Sequence, residues 1–105
     1  KALIMGFTFK ENTADTRNSR IIDVYKELER FGLVVDVYDP MIDIESTQSW
    51  FGINMVSSIQ IEDYQAVVLA VPHSKFLDLD IRTNPKKVVY DIKGIWPKEK
   101  VDGSL

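Results

Sequence analysis

The sequence predicts an α/β fold, a three-layer sandwich built on a mainly parallel sheet. Three observations carry that expectation. Three of the strand-length segments are apolar without alternation, among them ALIMGF at 2–7 and AVVLAV at 66–71, which implies burial on both faces. An amphipathic helical pattern separates the first strand from the second. The elements run β-α-β, then a mixed middle, then β-α-β, the order in which short right-handed crossovers build a Rossmann-like sheet. A length of 105 residues fits one domain, residues 1–105, with a core large enough to fold.

Each element has a local reason. The run at 2–7 is short enough for a buried strand, and the polar TFKENTADTR at 8–17 reads as a loop. Residues 18–32 read as a helix, with Ile21, Ile22, Tyr25, Leu28 and Phe31 on one face and mostly charged residues around the rest. Asn18 or Ser19 suits its N-cap, and Gly32 suits a left-handed stop. LVVDVY at 33–38 is the second strand, ended by Asp39-Pro40 because proline cannot donate to a ladder. The middle predicts a short helix near 45–51, a brief strand near 53–56 and a short helix at 59–65. AVVLAV is the clearest strand. Pro72 ends it, and Ser74 can cap a short helix through Leu77. KVVYD at 87–91 is the last strand, and a loop follows at 92–97.

Composition narrows the chemistry. With no cysteine, thiolate catalysis, disulfides and cysteine zinc sites are excluded, and a single histidine is too few for a histidine metal site. Lack of cysteine is compatible with the cytoplasm. The net charge of −3 gives no general attraction to nucleic acid or to an anionic membrane. No apolar run approaches the roughly 20 residues that a membrane helix needs. The chain begins inside a strand without an initiator methionine, so it reads as a piece of something longer.

Ligands of an open parallel sheet bind beyond the carboxyl ends of its strands. Three segments fall there. In the first, 8–17, Lys10 and Arg17 flank a loop that leads into a helix N-terminus, which itself favours anions. Thr13 and Thr16 add hydroxyls, and Phe9 is an aromatic able to stack on a planar ring. The competing reading has Phe9 in the core and the charges solvated, with Asp15 and Arg17 paired. In the second, His73 after Pro72 reads as a loop residue held by local hydrogen bonds rather than as a general base. In the third, Asp91 and Lys93 precede Gly94, where Lys93 could meet an anion; an ordinary turn over Ile95 and Trp96 competes. Asp39 stands where dinucleotide-binding folds put a ribose-binding acid. The first loop, however, lacks the G-x-G-x-x-G fingerprint, and an Asp-Pro turn is the simpler account.

The segment Gly6-Phe7-Thr8-Phe9-Lys10-Glu11-Asn12-Thr13-Ala14-Asp15-Thr16-Arg17-Asn18-Ser19 resembles the G-F-x-F-K-x-[ND]-T-x-D-x-R-x-S motif. That motif opens the C-terminal domain of the UDP-glucose/GDP-mannose dehydrogenase family. Val37-Tyr38-Asp39-Pro40 and Asp91-Ile92-Lys93-Gly94-Ile95-Trp96 resemble two further segments of that domain, as do the closing residues 99–105. The resemblance covers essentially the whole chain.

The resemblance implies a substrate-binding domain of an enzyme that oxidises the C6 alcohol of a nucleotide sugar to a carboxylate in two NAD-dependent steps, for surface polysaccharide synthesis. It implies that NAD and the catalytic cysteine belong mainly to other domains, so that no catalytic residue lies here and the domain alone is inactive. It implies a cytoplasmic homo-oligomer in the full-length protein. By position, Phe9, Lys10 and Lys93 would contact the UDP-sugar, and Arg17 would reach toward NAD. Many UDP-glucose dehydrogenases carry arginine where Lys93 stands. A lysine offers a point charge in place of a fork, and the Lys-Gly-Ile form resembles the branch acting on UDP-N-acetylhexosamines. Two other readings compete: a stand-alone nucleotide-binding or regulatory module without catalysis, and a small receiver-like enzyme. The latter wants acids after its first strand, where Phe9 and Lys10 stand.

Overall fold

The computed structural model describes residues 1–8, 20–71, 73, 76, 88–91 and 103–104. The elements are β1 (Ala2–Met5), α1 (Ile21–Arg30), β2 (Val35–Tyr38), α2 (Ile44–Phe51), a 3₁₀ turn (Ile61–Asp63), β3 (Ala66–Leu69), β4 (Val88–Asp91) and β5 (Gly103–Ser104). The strands form one sheet in the order β2-β1-β3-β4-β5, and every pairing is parallel. The predicted α/β architecture is therefore the observed one.

Register follows from the apolar pattern. Ala2 and Ile4 of β1 lie on one face with Val35 and Val37 of β2, where Ile21 and Tyr25 of α1 cover them. Leu3 and Met5 point to the other face with Val67, Leu69, Val89, Tyr64 and Phe76. β1 is buried at every residue, as a central strand with both faces covered must be. β4 differs from the expectation of two-sided burial: Val88 and Tyr90 are open while Val89 and Asp91 are buried. The cause is coverage, since α1 lies over β1 and β2 and leaves the same face of β4 partly bare.

The first helix and the one expected at 59–65 are shorter than their sequence patterns. α1 starts at Ile21 with Arg20 as N-cap residue and no side-chain cap; Asn18 and Ser19 lie outside the described residues. Gly32 does take the left-handed stop, at φ 89°. Phe31, predicted on the buried face, is 73% exposed because the helix has already ended there, and Val24 packs against the core instead. α2 confirms the short middle helix. Asp43 caps it by accepting from Ser46 N at 2.9 Å, and Gly52 closes it at φ 69°. That bond holds the Asp43 carboxyl below its ordinary value. The brief strand near 53–56 reduces to one bridge, Val37 with Met55, and the helix at 59–65 to the single 3₁₀ turn. Phe76 is helical, but the remainder of the predicted 74–77 helix lies outside the described residues.

Candidate functional site at the carboxyl edge of the sheet

Parallel pairing brings Tyr38, Met5, Leu69 and Asp91 level with one another, so the four strands β2, β1, β3 and β4 end on one edge. Gly6 N donates to Tyr38 O at 2.9 Å, and Ala70 N and Val71 N donate to Met5 O at 3.0 and 3.2 Å, which extends the ladder past the strand ends. Phe7 is fully buried, with its ring edge-on to Phe51 at 4.8 Å. Thr8 is also buried and is the last described residue before the loop.

The centre of this edge is a buried carboxylate. Asp39 Oδ2 accepts from Phe7 N at 2.7 Å, from Thr8 N at 3.3 Å and from the His73 ring at 2.8 Å. Its Oδ1 accepts from Met41 N at 2.8 Å. The last bond is the Asx turn that Asp39-Pro40 predicts. The others are not local, and they correct the reading of His73 as a locally satisfied loop residue. Both side chains of the His73–Asp39 pair are wholly buried. An unprotonated Nε2 facing a carboxylate oxygen at 2.8 Å would set lone pair against lone pair, so the imidazole carries its hydrogen on Nε2 and donates it. Thr8 Oγ1 stands 3.2 Å from the same nitrogen. The His73 ring packs edge-on to Phe76 at 5.3 Å, which in turn lies 6.0 Å from Tyr38.

A second buried carboxylate, Asp36, interrupts the apolar second strand. It accepts from Tyr64 Oη at 2.7 Å and from the Asn54 side-chain amide. It faces Leu3 in register, well before the strand ends, and is structural. Burial and then Asp36 push the Tyr64 hydroxyl well above its ordinary value, and burial also raises Tyr25.

Phe9, Lys10, Arg17 and Lys93 lie outside the described residues, as do Thr13, Asp15, Thr16 and Gly94. Their attachment points are described. Thr8 and Arg20 bound segment 9–19, and Lys93 follows two residues after buried Asp91. β1 and β4 flank β3, so the ends of these two strands stand roughly 10 Å apart, two strand spacings. The sequence reading missed Asp39 and His73 as partners. The available signal was an acid after one strand and a histidine after another in a parallel sheet.

Among the described residues there is no group of three or more His, Cys, Asp or Glu able to hold a metal ion. Among the same residues no helix is long and apolar enough to cross a membrane.

The chain is 45% identical to a UDP-N-acetyl-D-glucosamine 6-dehydrogenase of Salmonella typhi, over 98% of its own length and 25% of that protein. It is 36% identical to the enzyme of the same name from Pseudomonas aeruginosa, over 97% of its own length and 25% of that protein. Among solved structures it resembles a UDP-glucose dehydrogenase from Pyrobaculum islandicum at a TM-score of 0.77 and 29% identity, covering 98% of this chain and 24% of that one. The chain thus spans about a quarter of the curated relatives it matches. The family profile described as the UDP-glucose/GDP-mannose dehydrogenase family, UDP binding domain, matches residues 3–98. With that match across nearly its whole length, on a parallel sheet, the chain belongs to the UDP-glucose/GDP-mannose dehydrogenase family as its UDP-binding domain.

Proposed function

We propose that residues 1–105 are the single UDP-sugar-binding domain of an NAD-dependent UDP-sugar 6-dehydrogenase, and that its substrate is a UDP-N-acetylhexosamine oxidised at C6 to a uronic acid. The observation that carries this reading is the 45% identity, over 98% of the chain, to a UDP-N-acetyl-D-glucosamine 6-dehydrogenase. In this reading Phe9 stacks on or beside the uracil, Lys10 and Lys93 meet the diphosphate or sugar, and Arg17 reaches toward the cofactor. The family resemblance further supports reading the full-length protein as a cytoplasmic homo-oligomer.

The β1–β2 end of this domain does not fit a dinucleotide. The Asp39 oxygens that a ribose would need already accept from three backbone amides and His73. Phe7 fills the space after Gly6. We therefore assign NAD chiefly to the rest of the protein. A stand-alone regulatory module is disfavoured by relatives four times longer that align along this whole chain.

The test is NADH formation by the full-length protein against a panel of UDP-sugars. The reading expects turnover with UDP-N-acetylglucosamine or UDP-N-acetylgalactosamine and none from residues 1–105 alone. Exclusive turnover of UDP-glucose would overturn the N-acetylhexosamine assignment, and activity in the isolated domain would overturn the division of labour.

A further inference from the structure

We infer that Asp39 and His73 are positioning residues for nucleotide-sugar binding: a buried carboxylate–imidazole pair that fixes Phe7 and Thr8, the residues from which the chain continues from β1 into segment 9–17. The inference rests on the reading that this segment binds the UDP-sugar.

The geometry is specific to the loop's root. Asp39 Oδ2 gathers the amides of Phe7 and Thr8, the two residues immediately before Phe9 and Lys10. The same oxygen holds the imidazole that follows β3. One carboxylate thereby ties the ends of β2, β1 and β3 together, and its other oxygen closes the Asp39–Met41 turn. Pro40 restricts the backbone of Asp39 to extended conformations, which limits where the carboxylate can point. Both side chains are fully buried. Burying a carboxylate and an imidazole costs more than burying apolar groups of the same volume, so the pair is a poor device for stability alone. Its effect is orientation: the amides of Phe7 and Thr8, the last two residues before Phe9, are pinned. A ligand then need not order the root of the loop on binding, which is the advantage of preorganisation.

The experiment is steady-state kinetics and UDP-sugar calorimetry on the full-length protein carrying Asp39→Asn, His73→Leu or His73→Gln. Asn places amide hydrogens or a single oxygen against donors that need an anion, and Leu removes the imidazole donor. Both are expected to raise KM and Kd for the UDP-sugar about tenfold, the effect of losing one hydrogen bond to a charged group. KM for NAD and kcat should move far less, because Arg17 is farther along the chain from the pinned amides. His73→Gln returns an N–H near the Nε2 position and should recover most of the loss. Unchanged UDP-sugar KM and Kd in Asp39→Asn and His73→Leu, with a wild type that binds, overturns the inference alone. A wild type that binds no UDP-sugar overturns the functional reading beneath it. Failure of both variants to fold would mark the pair as a general stability element and also overturn the inference.

Discussion

Gly6 lies against the backbone of Val71 so closely that a Cβ built on it would stand 2.6 Å from Val71 Cβ, 2.8 Å from its amide nitrogen and 2.9 Å from its carbonyl oxygen. Gly6 also has φ 102°, which side-chain-bearing residues rarely adopt. The two constraints have one origin, the sharp departure of the chain from β1 beside the end of β3. Gly6→Ala should therefore cost roughly 3 kcal/mol or more, combining backbone strain with overpacking against atoms that cannot move aside. Urea unfolding of the variant checks this. A midpoint within error of wild type would mean that β1 and β3 separate here more easily than the packing implies.

Neighbouring valines of β4 should respond differently. Val89 is fully buried and Val88 is 55% exposed. Val89→Ala is expected to cost roughly 2 kcal/mol and Val88→Ala less than about 0.5 kcal/mol. Because a strand's side chains alternate, a one-residue slip in register would exchange the two results. The pair of measurements thus tests the β3–β4 alignment directly.

The strands were legible because continuous apolar runs have few uses in a chain this size other than a covered parallel sheet. The limits of that signal appear in β4, where VVYD is apolar at three of four positions yet half of it is open. Coverage is set by where α1 lies, and that is a tertiary fact. Phe31 fits the helical period, but the helix stops before it. The alignment of the strand ends on one edge was legible from parallel topology, while the cations of 8–17 that pointed to a site there lie outside the described residues. The His73–Asp39 bond joins residues 34 apart in sequence. Only the strand order, which sets the β2 and β3 ends on either side of β1, makes them neighbours. Asp36 carried a plainer signal: an acid inside an apolar strand requires a donor, and the structure supplies Tyr64 and Asn54.

Tyr64 gives a prediction at high pH. Burial, followed by its bond to Asp36, raises its hydroxyl above the ordinary value of 10.0. The folded state therefore keeps this proton when the unfolded chain loses it. The resulting contribution is complete below pH 10 and declines as the pH climbs from there toward the folded value. Tyr64→Phe should cost about 1–2 kcal/mol at neutral pH by leaving Asp36 short of a donor. It should also flatten the fall of stability above pH 10. Tyr25, raised mainly by burial, would retain part of that slope. Chemical denaturation across this range reads both effects, and parallel curves for the two proteins would contradict the assignment.

Lys10 provides the direct test of the loop. It follows Thr8 by two residues, and the amides of Phe7 and Thr8 are held by Asp39. A lysine meeting a diphosphate forms charge-assisted bonds, each contributing about 1.5–3 kcal/mol where water is excluded. Lys10→Ala in the full-length protein should then raise KM for the UDP-sugar roughly 10- to 100-fold, and Lys10→Arg should recover part of it because the charge is kept. NADH formation measured over a range of UDP-sugar concentrations separates the outcomes. A raised KM with nearly constant kcat assigns Lys10 to binding made equally in the ground state and the transition state. A matching fall in kcat and in kcat/KM would assign its contact to the transition state. Unchanged kinetics in Lys10→Ala would remove Lys10 from the binding set and leave Phe9 and Lys93 to hold the nucleotide.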